Sequence, residues 1–361
     1  MLDQQQPFYI RFTIKLFMVC LLVAVLIIAR DVLIPLTIAI FFTFLLFPVS
    51  TKLEKWKFPR PLAIILSIIL AMSVFAGILY FFYTQIISFA DDLPVLQEKM
   101  NQKIESIQQY IRSEFNVSKT QQRNWINSKL EENASSGEQM ILGLFSATTG
   151  FLVNFALIPI YIFFLTLYKD KFKKFVSLVT RDEGHEHAVG VIKKTARVSQ
   201  QYLKGIFLDI VILSILNSTG FLLLGIEHAI LFGVLASILN IVPYVGVLVG
   251  SILPVVMALL TKDAIGYALG AAGVCVFVQF LDNNFITPYV VGSSVSINPL
   301  TATVALIASA SIWGVAGMIL CLPLTGMLKV VCDNIEGLKP YGFLIGEEVD
   351  YRERIRKKPI K

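Results

Sequence analysis

The sequence predicts an all-α, polytopic integral membrane protein with about eight transmembrane helices, some of them broken or re-entrant in the C-terminal half. Three observations carry that prediction. Of the 361 residues, 56% are hydrophobic and 16% are charged, whereas soluble domains average roughly 45–50% apolar and about 25% charged. The apolar residues fall into runs long enough to cross a bilayer. The polar stretches between those runs alternate in charge bias, as cytoplasmic and external loops do. A soluble chain of this composition would expose large apolar patches. The low charge and the 27 phenylalanines also exclude disorder and nucleic-acid binding as the main business of the chain. Cys20, Cys275, Cys321 and Cys332 lie in or beside apolar runs without a CxxC pair, so they read as small buried hydrophobes.

Residues 1–90 hold the first three helices. Arg11 and Lys15 precede an apolar run from about Ile14 to Ala29 with no small-residue cleavage site after it, so it reads as an uncleaved helix and not a signal peptide. The second helix runs from about Val32 to Val49 and is expected to be interrupted at Pro35. A basic loop with Lys52, Lys55, Lys57 and Arg60 follows, and the third helix runs from Pro61 to about Phe89. Residues 91–138 then turn polar. Leu96, Met100, Ile104, Ile107 and Ile111 recur at helical spacing, which predicts an extracytoplasmic amphipathic arm. Residues 139–168 hold a fourth helix containing Pro159, and residues 169–204 form a basic amphipathic segment.

Orientation follows from the lysines and arginines. The 169–204 segment holds nine of them against four acids, and the 91–138 segment six against eight. The positive-inside rule therefore puts 52–60 and 169–204 in the cytoplasm and 91–138 outside. The N-terminus is then cytoplasmic. So is the basic tail, 333–361, which closes the transmembrane core of residues 205–332.

That core is irregular, and its irregularities carry the candidate site. Asn240-Ile-Val-Pro243-Tyr-Val-Gly246 interrupts an apolar run. Such a break is either a turn between helices or the discontinuous helix at which transporters hold substrates. A second polar segment holds Gln279, Asp282, Asn283, Thr287, Pro288 and Gly292, followed by Asn298. It reads as an insert between apolar stretches whose amides, carboxylate and hydroxyl suit a polar solute or a monovalent cation. Asp209 is a carboxylate within an apolar helix, and reads either as a proton or cation carrier or as an interfacial carboxylate paired with Lys204 or hydrated. Glu227 and His228 sit in a short connection and read as a solvated turn or a pH-sensitive gate. Glycines at 266, 270 and 273 offer a smooth face for helix contact. His185 and His187 lie two apart, on different sides of a helix, so a metal site is not expected. HExxH, GxSxG and phosphate-loop patterns are missing. The chain is therefore expected to be no enzyme, to need no cofactor or metal, and to be driven by a gradient or a partner rather than by ATP.

Several stretches together resemble the autoinducer-2 exporter family of bacterial membrane proteins. They are Gln201-Tyr-Leu-Lys-Gly205, Leu224-Gly-Ile226, Ile241-Val-Pro-Tyr-Val-Gly246, Thr287-Pro-Tyr-Val-Val-Gly292, Asn298-Pro-Leu300 and the run from Trp313 to Leu324. The resemblance spans about residues 10–335. It implies an eight-helix protein of the bacterial inner membrane, homo-oligomeric with a pentamer among the expected states. It also implies export of a small polar signalling molecule, or sodium(lithium)/proton exchange as in other members. Three positions depart from the family pattern: Asn298 replaces a histidine, Ala308-Ser-Ala-Ser311 replaces a glycine pair, and Asp209 falls at an apolar position. The rival from another class is a membrane scaffold or assembly factor whose work is done by the 91–138 arm.

Overall fold

The structure is a computed structural model and describes residues 7–115, 156–179, 185–242, 245–290 and 297–347. Among the described residues no strand forms beyond one isolated bridge between Ile297 and Gly346. Helix α1 (Phe8–Ile28) is separated from α2 (Arg30–Lys55) by one residue, Ala29. Pro35 lies inside α2, fully buried, instead of interrupting it. Its missing donor costs a single bond near the helix start, and burial against protein makes that tolerable in lipid. Helix α3 (Arg60–Phe115) carries Pro94 inside it and runs unbroken through the junction where the sequence suggests a separate arm. Its 56 residues span about 84 Å at 1.5 Å per residue, well beyond the roughly 30 Å hydrocarbon core. The rest of the predicted arm, 116–138, lies outside the described residues.

Helices α4 (Ala156–Leu167), α5 (Lys169–Val179), α6 (His185–Leu223), α7 (Ala229–Leu239), α8 (Val245–Thr261) and α9 (Ile265–Leu281) follow. A π-helical turn (Asp282–Ile286) leads into α10 (Thr287–Val290). Helix α11 (Pro299–Asn334) and, after a 3₁₀ turn, α12 (Lys339–Ile345) close the described chain. Five described helical segments are long and apolar enough to cross a membrane: Arg30–Lys55, Arg60–Ser106, Val189–Leu223, Ile265–Val290 and Pro299–Asn334. Shorter apolar helices accompany them. This is the all-α polytopic membrane protein that the composition predicts.

The chain divides into two compact units. One comprises Met1–Ile69, Leu157–Ile206 and Val291–Lys361. Its interior is lined by small residues, Ala39, Ser50, Ala63, Ser67 and Ser199. Ser67 and Ser199 donate back to the carbonyls of Ala63 (2.7 Å) and Thr195 (3.0 Å), so each hydroxyl is satisfied within its own helix and the backbones can approach. At the end of α1 the Leu26 carbonyl has no donor in the next turn, and the Trp313 indole N–H supplies one at 3.0 Å. Helix α11 breaks one residue later, at Gly314 (φ 60°, ψ −138°), a conformation open to glycine and costly to others.

The other unit comprises Leu70–Ala156 and Phe207–Val290. Its core joins Leu96 of α3, Phe221 of α6, Phe232 of α7, Met257 and Ala258 of α8, and Ala268 and Ala271 of α9. The α6–α7 connection is not a plain solvated turn. His228, in the left-handed region at φ 55°, brings its ring nitrogen within 2.9 Å of the Asp92 carboxylate on α3, and Phe89 stands edge-on to it. Of the glycines expected to form a contact face, Gly270 meets the Leu224 side chain. Gly266 and Gly273 face open space within the chain.

Candidate functional site

Three helices of the second unit bring the site together. On α6, Asp209, Leu213 and Asn217 follow at four-residue intervals and share one face. Helix α7 ends at Leu239, and Asn240 is its C-cap. Helix α8 begins at Val245, so the break predicted at 240–246 is real; Pro243 itself lies outside the described residues. Gly246 is buried against the end of α7, and a Cβ there would run into the Leu239 carbonyl. Only glycine lets the chain double back so closely.

The polar segment after α9 is not an insert. The helix continues through it to Val290, passing through the π turn. Its polar side chains bond within the helix, as Asn284 does to the Phe280 carbonyl at 2.8 Å, so they do not unwind it. The wider turn has a definite result. A π turn aligns residues five apart. The Thr287 backbone N–H accordingly donates to the Asp282 carbonyl, and its hydroxyl donates to Asp282 Oδ1 at 2.6 Å.

Asp282 is 3% exposed and is the hub of the cluster. Its Oδ2 accepts from Asn240 Nδ2 at 2.9 Å and from Gln279 Nε2 at 3.3 Å. A carboxylate has about four acceptor sites, and these three neutral donors fill three. The fourth neighbour is the half-buried carboxyl of Asp209, which lies beside that of Asp282. Asp209 Oδ1 is buried without a partner. Two carboxylates side by side repel each other when both are ionised.

A cavity of about 30 Å³ adjoins the cluster, lined in part by Asn217, Ser237, Asn240, Ser251 and Gln279. It exceeds the roughly 10–15 Å³ that a water requires. Asn217 donates to Ser237 Oγ across it at 3.3 Å. Next to Asn217, the buried hydroxyl of Ser218 has no partner.

The sequence-predicted residues thus sort clearly. Asn240, Gln279, Asp282, Thr287 and Asp209 converge. Asn283 is exposed and accepts only from Gln279 (3.1 Å), and Pro288 is exposed on α10. Pro243 and Gly292 lie outside the described residues. Asn298 belongs to the first unit and caps α11: its Oδ1 accepts from the Thr301 N–H (2.7 Å), and its Nδ2 donates to the Leu344 and Gly346 carbonyls at 2.6 and 3.2 Å. Ser237 and Ser218 were not singled out in the sequence. Their only signal is a hydroxyl within an apolar helix, which serves equally for a residue that bonds its own backbone.

Comparison with known proteins places the chain in a family. YrrI of Bacillus subtilis (strain 168), a candidate transport protein, is 25% identical over 314 residues, covering 84% of this chain and 86% of that protein. YueF of the same organism, also a candidate transport protein, is 28% identical over 320 residues, 83% of each chain. YhhT of Escherichia coli (strain K12), likewise a candidate transport protein, is 22% identical over 321 residues, 88% and 89% of the two chains. Residues 16–337 match the family described as the AI-2E family transporter. With a family match over most of its length, transport proteins as full-length relatives, and helices built for lipid, this chain belongs to the AI-2E transporter family of multi-pass membrane proteins.

Proposed function

We propose that the protein is a gradient-driven exporter of a small polar solute, of the autoinducer-2 type, in which the Asp209–Asp282 pair carries the coupling proton. The observation that carries this reading is the contact between two carboxyl groups inside an apolar helical unit. Like charges in contact repel strongly where water is scarce. Loss of the shared proton therefore drives α6 and α9 apart, and its return draws them together. That two-state movement is what gradient coupling needs. Asn240, Gln279 and Thr287 hold Asp282 in place and offer the donors that a hydroxylated solute would use once the carboxyl swings away. The broken helix at 240–246 supplies the discontinuity at which such sites form.

One observation favours a second reading, sodium(lithium)/proton antiport. The adjoining cavity of about 30 Å³ admits a water or a monovalent cation and no polyhydroxylated solute. On either reading the protein works in the bacterial inner membrane with both termini cytoplasmic and 91–138 outside, as a homo-oligomer of up to five copies. It acts without an enzymatic step. The charge distribution and the family resemblance support these assignments.

The test is flux in proteoliposomes under imposed proton, sodium and lithium gradients, with autoinducer-2 as the solute probe. Asp282→Asn and Asp209→Asn are each expected to lower proton-coupled flux at least tenfold while the protein stays monodisperse. Proton flux that needs sodium or lithium and no solute selects the antiporter. Robust flux that is unchanged in both variants overturns the mechanism.

A further inference from the structure

The first unit contains an open groove of about 520 Å³ between α2 and α6 that the transport reading does not use. Lys52 and Lys55, one turn apart on α2, and Lys193 and Arg197, one turn apart on α6, all line it. No acidic residue lines it. The acid nearest in sequence, Glu54, is engaged by Lys169 at 3.4 Å. Lys52 leans over the Trp56 ring at 5.6 Å, and among the described residues no carboxylate pairs with it. Four cations facing one space repel one another unless an anion joins them.

A second, independent observation points the same way. Thr51 also lines the groove, and its hydroxyl is buried without a hydrogen-bond partner. A threonine inside a helix normally satisfies its hydroxyl on the carbonyl one turn back, as Thr166 does on Ile162 at 2.7 Å. Thr51 does not, so a donor lines a cationic groove with no acceptor among the described residues. The groove is also rigid at its base. Pro48 has no N–H, so the Phe44 carbonyl lacks its helical partner. Gln200 Nε2 of α6 donates to that carbonyl at 2.7 Å. This bond pins α2 to α6 and sets the spacing of the cations on either side.

We propose that the α2–α6 groove is a binding site for a phosphate-bearing anion, held by Lys52, Lys55, Lys193 and Arg197 with Thr51 donating to one phosphate oxygen. Phosphate suits the donor set better than a carboxylate does. Donors on two helices approach from several directions, matching three or four oxygens around one centre. Two sources offer that chemistry: the headgroup of an anionic lipid, and free phosphate or a soluble phosphate compound. Basic pockets between membrane helices on the cytoplasmic side suit lipid headgroups, and Phe47 and Pro48 add an apolar wall on which a glycerol backbone can rest.

The full chain in neutral detergent is titrated in two arms, one with short-chain phosphatidylglycerol and phosphatidylcholine as its control, the other with inorganic phosphate. Retained lipid or phosphate is read by native mass spectrometry and by the shift in thermal midpoint. Saturable binding in either arm supports the site, and the arm identifies the source. The triple variant Lys55→Gln/Lys193→Gln/Arg197→Gln is expected to bind at least tenfold more weakly. Lys55→Arg/Lys193→Arg, which keeps every charge, is expected to bind as wild type does, separating lost charge from lost folding. Thr51→Val is expected to weaken binding severalfold without altering its salt dependence. No saturable binding of either probe, or binding that survives the triple variant or 0.5 M salt unchanged, overturns the proposal.

Discussion

In the first unit the nearly buried carboxylate of Asp333 meets the Lys329 ammonium at 2.9 Å. In the second unit the buried carboxyl of Asp282 meets another carboxyl, that of Asp209. Both arrangements place ionisable groups where water is sparse, at considerable desolvation cost. The first offsets that cost with an opposite charge on the next helical turn, and α12 packs over it so tightly that a Cβ at Gly342 would strike Asp333. The second has no opposite charge beside it: three neutral donors surround Asp282, and the two acids repel when both are ionised. A buried pair that opposes itself in one of its two states contributes little as scaffold. It suits a moving part, and on the proposed mechanism the contrast gives structural work to one pair and mechanical work to the other.

The largest expected effect tests that contrast from the structural side. Lys329→Met leaves Asp333 buried without its cation and is expected to cost about 3–5 kcal/mol, read as a fall in the thermal midpoint. Flux per folded molecule should be unchanged. Lys329→Met/Asp333→Leu removes both charges and should recover most of the loss. Equal loss of flux and stability in the single variant would end the distinction between the two pairs. Next in size is Gly246→Ala, which sets a methyl against the Leu239 carbonyl. Moving backbone to admit it is expected to cost about 3 kcal/mol, concentrated at the α7–α8 break, and hydrogen exchange should quicken there first.

The sequence made the membrane class legible because lipid leaves few alternatives. Runs of apolar residues with satisfied backbones must be helices, and the five long spans lie where the hydropathy puts them. The break at Pro243–Gly246 was legible for a similar reason, since proline and glycine act locally. The end of the third helix was not. The amphipathic 91–115 stretch has its own period, yet α3 runs through it without a cap, even though Pro94 within it lacks an N–H. Nor was the fate of 282–290 legible, where polarity suggested a loop. Asp282 and Thr287 are five apart, a spacing that joins no neighbours on an ordinary helix and becomes a contact only once the π turn has formed. The meeting of Asp209 with Asp282, 73 positions apart in sequence, depends on how α6 packs against α9. Local pattern contains nothing of that, though the individual cost of each acid did mark both.

A smaller effect tests the contrast from the mechanical side. Asp209→Asn replaces an acid–acid contact with an amide that donates to Asp282 without any shared proton. Stability is expected to hold or rise by about 1 kcal/mol, the worth of an ordinary hydrogen bond, while coupled flux falls as above. A loss of several kcal/mol, read by the same thermal midpoint, would mean that Asp209 is scaffold after all.

The smallest effect lies at the end of an apolar span, where Arg60 pairs with the mostly exposed Asp170. Arg60 Nη1 donates to Asp170 Oδ2 at 2.8 Å, and Arg60 Nη2 donates to the Thr166 carbonyl at 3.1 Å, tying the start of α3 to the end of α4 and the start of α5. Slight burial pushes the Asp170 carboxyl up. The Arg60 hydrogen bond and charge, with Lys173 and Lys169 nearby, outweigh it and hold the group below its ordinary value of 3.8. A carboxylate whose folded value is depressed stabilises the protein above its unfolded value, and the contribution fades as pH falls through the folded one. The pair's share should therefore be constant from neutral pH down to about 4 and disappear below that. Asp170 is mostly exposed, so that share is expected to stay under about 1 kcal/mol and to shrink further in salt. Thermal midpoints of wild type and Asp170→Asn should accordingly differ slightly at neutral pH and converge below about pH 4. No gap at neutral pH would mean that the guanidinium is held by the Thr166 carbonyl alone. The exposed pair would then be decoration on a contact made by the backbone.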